Sequence, residues 1–393
     1  MRLLGVELRT LTLAFREPIG TSAGTHRIRP AIVLRVVTDA GEGWGEGAAM
    51  AAGTAVDPPL DQVWRELVEV TLPRLAVATS ARGGVLPEAS RITALLAGSP
   101  EARSAAAVLE MAVLDIELRQ AGGSLVDRLF TLNGSAGPVP RSVEAGAMVG
   151  IPADRRLGTL LGAVGRLAAE GFRRVRVKIE PGWDLEPLTA LRTAHPDLAL
   201  QADANGAYRL DATGAADARR LAELDPLGLA CIEQPLPPAD LPSHALLGAR
   251  LATPICLDES LSTTRRVQDA LRYGACAVAC LKPSRLGGVF ATQVAQAACA
   301  TAGVPAFVGG FFECGLGRTV NASLAALPGF SLPGDLSAPG SYLVEDPFDY
   351  PAPLDGRVAL HRGPGVAPPP DPDRLERWSE PGRTLWVPYK GPG

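Results

Sequence analysis

The sequence contains five short apolar runs that each end in a charged residue: VRVK (175–178), LALQAD (198–203), LACIE (229–233), PICLD (254–258) and AVACLK (277–282). Successive charged ends are 25, 30, 25 and 24 residues apart, and a stretch of helical character separates each run from the next. Such alternation predicts parallel strands that are joined by right-handed crossovers. PAFVGG (305–310) is a sixth apolar run, although it ends in glycine. Six strand–helix units in succession favour an α/β fold of the TIM-barrel type over an open sheet.

The residues before this region have a different pattern. Residues 1 to about 50 alternate apolar and polar positions between glycine turns, as in a meander of strands, and residues 59–120 have a helical pattern. Ser99 and Pro100 are typical of a helix N-cap and of the first helical position. We therefore expect a separate α+β domain over residues 1–137 and the barrel over residues 138–340.

The C-terminal segment combines features of a tail with features of a packed element. Its last thirty residues contain eight prolines, but they also contain Trp378, Leu385, Trp386, Val387 and Tyr389. These large apolar side chains are not typical of a disordered tail. We expect residues 341–393 to pack back on the first domain and to complete it.

Composition excludes some classes of partner. The chain has 38 Lys+Arg and 42 Asp+Glu residues, for a net charge of −4. Proteins that bind nucleic acids or anionic membranes concentrate positive charge, so neither partner is expected. No run of about 18 apolar residues is present, and we expect no membrane span.

The six cysteines lie between residues 231 and 314, several of them within apolar runs. Cys276 and Cys280 could form one half of a metal site, but no second Cys/His pair follows at zinc spacing. Buried free thiols in a reducing cytosol are the simpler interpretation, which predicts a cytoplasmic protein.

The charged ends of the five runs predict a single site, because the C-terminal ends of parallel barrel strands open at one mouth. Asp203, Glu233 and Asp258 offer only oxygen ligands, which suit Mg²⁺, with Mn²⁺ as an alternative. Lys178 and Lys282 would flank a bound ligand from opposite sides. A desolvated lysine near a cation has a lowered pKa and can act as a general base. For any one of the five charged residues, the alternative to a catalytic or ligand role is an ordinary ion pair at the barrel mouth.

A divalent ion with a lysine on each face suits one type of reaction. The ion takes up the negative charge of an enediolate while the lysines move the proton α to a carboxylate. We therefore expect a small-molecule carboxylate as the substrate.

At these motifs the sequence resembles the enolase superfamily, in particular its muconate-lactonizing subgroup. The matching motifs are RVK (176–178), DAN (203–205), IEQPL (232–236), LDES (257–260) and LKPSRLGG (281–288). Further segments resemble the o-succinylbenzoate synthase / N-acylamino acid racemase family: KIEPGWD (178–184), GGFFECGLGR (309–318), GEGWGE (41–46) and LEMAVLDIEL (109–118). The resemblance spans most of the chain.

This resemblance implies a capping domain on a (β/α)₇β barrel and a Mg²⁺ site at Asp203, Glu233 and Asp258. It implies that Lys178 and Lys282 are the two acid/base residues, and homo-oligomers are expected for such folds. The residues expected to contact substrate or to support the ligands are Arg176, Asn205, Glu259, Arg285, Gly310 and Phe311.

Three of these supporting residues have alternative interpretations. Hydrogen bonding at strand ends explains Asn205 and Glu259 equally well. In the family, an arginine at the position of Arg285 is associated with racemase ability, and its charge would depress the pKa of Lys282; a surface salt bridge is an equal alternative. GTSAGTHR (20–27) resembles the mobile loop that closes over substrate, although a plain hairpin turn fits its glycines as well.

The sequence also departs from the family pattern. Arg176 stands where the family usually has a lysine, and Met148 stands where it usually has a small serine. Phe311 and Phe312 occupy positions that are usually aliphatic. These departures predict an altered acyl-side pocket with the proton chemistry intact.

We expect an o-succinylbenzoate synthase, which eliminates water from a cyclohexadiene carboxylate on the way to menaquinone. The alternatives are an N-acylamino acid racemase and a related enzyme with an unassigned carboxylate substrate. From another class, a catalytically silent barrel that binds an anionic metabolite is a further alternative.

Overall fold

A computed structural model describes residues 1–21, 24–96, 98–135, 137–210 and 216–391. It contains an antiparallel sheet of four strands and a parallel sheet that curls into a barrel. The expected (β/α)₇β barrel with an N-terminal α+β domain is confirmed, while the limits at residues 137 and 340 stay predictions. Among the described residues, no helix combines the length and the apolar character that crossing a bilayer requires.

The N-terminal domain begins with a meander of three strands and continues with helices. The strands are β1 (Leu3–Thr21), β2 (Gly24–Thr38) and β3 (Gly41–Gly47). The helices are α1 (Leu60–Glu66), α2 (Leu72–Ser80), α3 (Ile92–Leu95), α4 (Pro100–Ala121) and α5 (Leu125–Leu132), with a π-turn at Leu67–Thr71 and a 3₁₀ turn at Ala89–Arg91. Ser22 and Ala23, from the segment compared with a substrate-closing loop, lie outside the described residues, so that role stays a prediction.

Helix α4 is buried along most of its length because strand β3 packs directly on its backbone. A Cβ atom added at Gly43 would lie 2.2 Å from the Ala112 carbonyl oxygen, and one at Gly45 would lie 2.1 Å from that of Val108. Only glycine permits this approach. As predicted, the Ser99 hydroxyl accepts a hydrogen bond from the Ala102 backbone N–H at the start of the helix.

The barrel consists of eight parallel strands and the helices that join them. The strands are β4 (Ser142–Val149), β5 (Arg174–Lys178), β6 (Ala199–Asp203), β7 (Cys231–Glu233), β8 (Ile255–Leu257), β9 (Val278–Leu281), β10 (Ala306–Val308) and β11 (Gly334–Asp335). The helices are α6 (Leu157–Ala169), α7 (Leu185–Ala194), α8 (Ala216–Ala222), α9 (Leu241–Gly248), α10 (Thr264–Tyr273), α11 (Pro283–Leu286), α12 (Val289–Thr301) and α13 (Gly315–Ala325).

The strands follow one another around the barrel in chain order, and β11 returns to pair with β4. Between β10 and β11, the Leu332 N–H donates to the Ala306 carbonyl at 3.3 Å. All C-terminal strand ends therefore face the same mouth.

The C-terminal segment returns to the first domain, as predicted. It contains β12 (Arg357–Ala359), which pairs with β4, followed by α14 (Pro372–Trp378) and β13 (Ser379–Pro388). Strand β13 pairs antiparallel with β1, with Leu385 opposite Leu8 and Val387 opposite Val6. The tail thus forms the fourth strand of the N-terminal sheet.

Two buried glutamates of the N-terminal domain cap barrel helices. Glu46 accepts hydrogen bonds from the backbone N–H groups of Cys314 and Gly317 at the start of α13, at 2.8 and 2.9 Å. Glu110 accepts from Val289 and Phe290 at the start of α12. Because the first N–H groups of a helix have no partner within the helix, the glutamate oxygens that accept from them hold the domain against the barrel mouth.

Candidate active site

The five charged residues that end the apolar runs lie together at the barrel mouth. Lys178, Asp203 and Glu233 are the last residues of β5, β6 and β7 and are neighbours in the strand register. Asp258 directly follows β8, and Lys282 directly follows β9. The side chains of Asp203, Glu233 and Asp258 are fully buried.

Each lysine is paired with its own carboxylate. Lys178 Nζ lies 2.6 Å from Asp203 Oδ2, and Lys282 Nζ lies 2.8 Å from Asp258 Oδ2. Glu233 belongs to the strand between the two pairs and is held by Arg176 Nη1 at 2.6 Å and by the Gln201 amide. The arrangement presents one lysine nitrogen from each side of the carboxylates.

The electrostatics of this cluster follow from burial and close charge. Burial raises the pKa of Glu233 well above its usual range, and Asp203 and Asp258 add to this effect against the Arg176 guanidinium. Burial alone would also raise the pKa of Asp258, but Arg285 and Lys282 outweigh it and the pKa is lowered.

The pKa of Lys282 differs from the expectation. Burial lowers it and Arg285 acts in the same direction, but the adjacent Asp258 carboxylate outweighs both and the pKa is raised. The contact with Asp258 therefore favours the ammonium form of Lys282, which is opposite to the effect of desolvation.

The donor set fits a hard divalent cation. Glu233 and Asp258 each bring a donor oxygen within 4.8 Å of the other, whereas Asp203, the register neighbour of Glu233, is equally buried but is not part of that cluster. Buried charges of this kind are costly unless they are balanced by cations. Within the described ranges, Glu259 Oε2 beside them is a buried oxygen without a hydrogen-bond partner. Asp203, Glu233 and Asp258 are the carboxylates that could hold such an ion.

Cys280 is a neighbour that sequence reasoning did not place here. Glu233, Asp258 and Cys280 each bring one donor atom within 4.8 Å of the others. Cys280 lies on β9, two residues before Lys282, which directly follows that strand. This spacing was the available signal, because alternate residues share a face. All six cysteines, which lie in the described part of the chain, are free and buried.

Asn205 and Glu259 form a polar chain that ends on Lys178. Lys178 Nζ donates to Asn205 Oδ1 at 2.5 Å, and the Asn205 amide donates to Glu259 Oε1 at 2.8 Å. Asn205 therefore contacts Lys178 directly, and Glu259 contacts it through Asn205.

Arg176 points into the barrel and bridges two sides of it. Besides Glu233, its guanidinium pairs with Asp335 at 2.6 Å and with Asp203 at 3.3 Å. Asp335 lies on β11 and is held from its other oxygen by Arg174. Sequence reasoning missed Asp335, which lies 159 residues beyond Arg176 and has no local signal.

The GGFFE segment places its two phenylalanines differently. Lys282 Nζ lies 4.3 Å from the Phe311 ring centre, so this ring covers the site. Phe312 instead packs edge-on against Phe15 and Tyr342, with ring centres 5.5 and 5.4 Å away. A Cβ at Gly310 would lie 2.8 Å from both Arg318 Nη1 and Glu313 Oε2, so a side chain there requires these groups to shift.

Met148 lies on β4, in register with Arg176 on β5. It therefore belongs to the barrel wall, next to the strand that carries Lys178.

Arg285 is a buried residue of the site, so the surface salt bridge considered for it is wrong. Its Nη1 lies 2.5 Å from Asp258 Oδ1. Its Nε and Nη2 bind the two carboxylate oxygens of Asp57, which comes from the N-terminal domain, at 2.7 and 2.8 Å.

Comparisons with known proteins agree with this architecture. Residues 160–374 match the family described as Enolase C-terminal domain-like. An N-succinylamino acid racemase from Amycolatopsis sp. is 41% identical over 96% of this chain and 97% of its own length. An o-succinylbenzoate synthase from Geobacillus kaustophilus is 35% identical over 95% of each chain.

Among solved structures, a member of the enolase superfamily from Listeria innocua Clip11262 superposes with a TM-score of 0.87 at 28% identity, covering 99% of this chain and 100% of that one. With the barrel, the charged strand ends and these relatives in agreement, the chain is an enzyme that belongs to the enolase superfamily.

Proposed function

We propose that this enzyme abstracts the proton α to a carboxylate, through an enediolate, with Mg²⁺ or Mn²⁺ as its cofactor. The observation that carries the proposal is the pair of lysine–carboxylate contacts, Lys178 with Asp203 and Lys282 with Asp258, on either side of Glu233. Metal ligands and two opposed proton carriers are what this chemistry needs.

Asp203, Glu233 and Asp258 are the proposed ion ligands. A divalent ion bound there would supply Lewis-acid stabilisation of negative charge on the substrate carboxylate. Asn205 positions Lys178 Nζ through a 2.5 Å hydrogen bond, and Phe311 shields the Lys282 side from water.

Lys178 is the proposed base in its neutral form. The C–H bond breaks, its electron pair moves into the carboxylate to give the enediolate, and the proton stays on the Lys178 amine. Lys282, an ammonium group on the opposite side, stabilises the new negative charge.

We place o-succinylbenzoate synthase first as the overall reaction. The C–O bond to the β-hydroxyl then breaks, and the Lys178 ammonium returns its proton to that leaving group, so that water departs from the face on which the first proton was taken. The product is a benzoate, and the gain of aromaticity favours elimination.

N-acylamino acid racemase is the second candidate. It is favoured by the presence of one lysine on each side, because racemisation needs a base on one face and an acid on the other, whereas syn elimination needs one proton carrier. The Amycolatopsis relative is named N-succinylamino acid racemase. For racemisation in both directions, Lys282 must also serve as a neutral base.

The test is mass spectrometry of candidate carboxylates after incubation with the enzyme and Mg²⁺ in D₂O. The panel contains the cyclohexadiene carboxylate that is the substrate of the synthase, a set of N-succinyl amino acids and a set of N-acetyl amino acids. Loss of water from the first compound identifies the synthase, and deuterium in N-acyl amino acids identifies the racemase. A folded, ion-bound enzyme that does neither would contradict both reactions and leave a different carboxylate as the substrate. A cytoplasmic location and a homo-oligomeric state are further predictions.

A further inference from the structure

One segment of the N-terminal domain reaches the proposed ion ligands. The capping loop, residues 48–59 between β3 and α1, carries Asp57 against Arg285. Both carboxylate oxygens of Asp57 take part, one with Nε at 2.7 Å and one with Nη2 at 2.8 Å. This two-point geometry is the strong form of an arginine–carboxylate pair, and both side chains are largely removed from solvent, at 3% exposure for Arg285 and 14% for Asp57.

The third nitrogen of the Arg285 guanidinium contacts Asp258, one of the proposed ion ligands. Arg285 Nη1 lies 2.5 Å from Asp258 Oδ1, while Lys282 occupies the other oxygen of Asp258. Arg285 therefore divides its single positive charge between Asp57 in one domain and Asp258 in the other. Any change in its bond to Asp57 changes how strongly it holds Asp258.

The capping loop presents Asp57 in a fixed orientation. The Thr54 hydroxyl donates to Asp57 Oδ2 at 3.0 Å and accepts from the Asp57 N–H at 3.0 Å, and the Thr54 N–H donates to the Asp57 carbonyl at 2.9 Å. The Leu60 N–H closes the loop on the Met50 carbonyl at 2.8 Å. Burial raises the pKa of Asp57, but the Arg285 charge outweighs burial and the pKa is lowered, so the carboxylate is ionised.

We propose that Asp57 is a positioning residue for the ion site: by neutralising Arg285, it keeps Asp258 available as an ion ligand. Two effects have the same sign when Asp57 loses its charge. Arg285 is then balanced only by Asp258 and competes with the ion for that carboxylate, and one negative charge near the ion is lost. Both effects lower the affinity for the divalent ion. This inference rests on the proposed ion ligands Asp203, Glu233 and Asp258.

The experiment measures Mn²⁺ binding to the full chain by titration calorimetry and by electron paramagnetic resonance, without substrate. The variants are Asp57→Asn, Arg285→Gln and the double variant. Asp61→Asn is the matched control, because Asp61 is also in the N-terminal domain and pairs with an arginine, Arg383, at 2.8 Å on the surface. Circular dichroism and thermal melting verify that each variant is folded.

Asp57→Asn is expected to weaken Mn²⁺ binding by about three- to tenfold, which corresponds to roughly 0.6–1.4 kcal/mol. In the Arg285→Gln background the same change is expected to have at most a third of that effect, because only the direct loss of one negative charge near the ion then remains. Asp57→Glu, which keeps the charge, is expected to recover part of the affinity, and Asp61→Asn to bind Mn²⁺ as the wild type does.

The proposal is overturned if Asp57→Asn binds Mn²⁺ as tightly as the wild type, or if its loss is equal with and without Arg285. The first result leaves Asp57 as a structural contact between domains. If Asp57→Asn does not fold, Asp57→Ser and Asp57→Glu carry the comparison. A wild-type enzyme that binds neither Mn²⁺ nor Mg²⁺ would instead overturn the proposed function together with this inference. The wild-type titration therefore distinguishes failure of the proposed function from failure of the role of Asp57.

Discussion

The ammonium nitrogen of Lys282 lies 4.3 Å from the centre of the Phe311 ring, and the Arg285 guanidinium carbon lies 5.1 Å from the same ring. A cation above an aromatic face is stabilised by about 0.5–2 kcal/mol when water is excluded. Phe311 thus holds two cations on one side of the proposed substrate site. Its neighbour Phe312 contributes nothing there, since its ring packs against Phe15 and Tyr342.

Phe311→Leu is expected to lower kcat/KM by about 2- to 30-fold, because the cation–π stabilisation and the cover over Lys282 are lost together. Steady-state kinetics on whichever carboxylate is turned over measures the effect. Phe312→Leu is the control, with a lower melting temperature and kcat/KM within about twofold of the wild type. Equal kinetic losses in the two variants would contradict the distinct placement of the rings.

The two lysines of the site are expected to serve opposite faces of the substrate. The chain has only three lysines, and the third, Lys390, is exposed in the C-terminal segment. Lys178→Ala is expected to lose proton exchange from one enantiomer of an N-acyl amino acid by about 10²–10⁴-fold, and Lys282→Ala from the other. Exchange in D₂O, followed by NMR on each enantiomer, tests this. Lys390→Ala is the control. Unaltered exchange in Lys178→Ala would contradict its role as a base, and a wild type that exchanges no proton of any carboxylate would support the catalytically silent barrel.

Removal of divalent ions is expected to abolish turnover. The substrate carboxylate would then meet three buried carboxylates whose charge is no longer balanced by an ion. EDTA treatment followed by addition of Mg²⁺ or Mn²⁺ should restore turnover, and Ca²⁺ should restore less because it prefers longer bonds and more ligands. Glu233→Gln should remain inactive after Mg²⁺ is added, whereas the exposed Asp373→Asn should respond as the wild type does. Full activity in EDTA would contradict the proposed ion site.

Arg176 is expected to be essential for stability. It is buried and pairs with Glu233 and Asp335, so Arg176→Met removes the cation from Glu233 and leaves Asp335 with Arg174 alone. Loss of one partner of a buried pair costs about 3–5 kcal/mol, whereas an exposed pair contributes about 0–1 kcal/mol. Urea unfolding of Arg176→Met and of the control Arg357→Met, whose pair with Glu144 is exposed, measures the difference. Equal free energies of unfolding would show that the Arg176 network contributes no more than a surface pair.

Glu110 is expected to make stability fall as pH rises. Burial raises its pKa from the ordinary 4.5 to about 8. The folded state therefore binds the proton more tightly than the unfolded state, so the stabilisation is complete below pH 4.5 and is lost as pH rises through about 8. The free energy of unfolding should fall by up to about 1.4 kcal/mol per pH unit within this window.

Urea unfolding at several pH values measures the Glu110 contribution. Glu110→Gln keeps an acceptor for the Val289 N–H and should flatten the slope, whereas the exposed Glu144→Gln should leave it unchanged. A slope that is the same in Glu110→Gln and in the wild type would contradict the assignment to Glu110.

Local patterns along the chain were sufficient to predict the barrel and the positions of five charged residues. This was possible because strand length, helix spacing and strand ends are local features, and parallel strands bring their C-terminal ends to one mouth whatever the loops do. Likewise, the apolar residues of the tail required a packing partner, which β1 provides through Val6 and Leu8. Expectations that depend on local pattern and on the general geometry of the fold could be made without coordinates.

Which charged groups meet depends on contacts between residues that are far apart in the chain. Asp57 binds Arg285 across 228 residues, and Arg176 binds Asp335 from the last strand. Such pairs depend on the path of loops and on the tilt of strands, which leave no periodic signal in the chain. The raised pKa of Lys282 has the same origin, because it depends on the distance to Asp258 as well as on burial. Local pattern therefore fixes where the chemical groups emerge, and long-range packing fixes their partners and their charge.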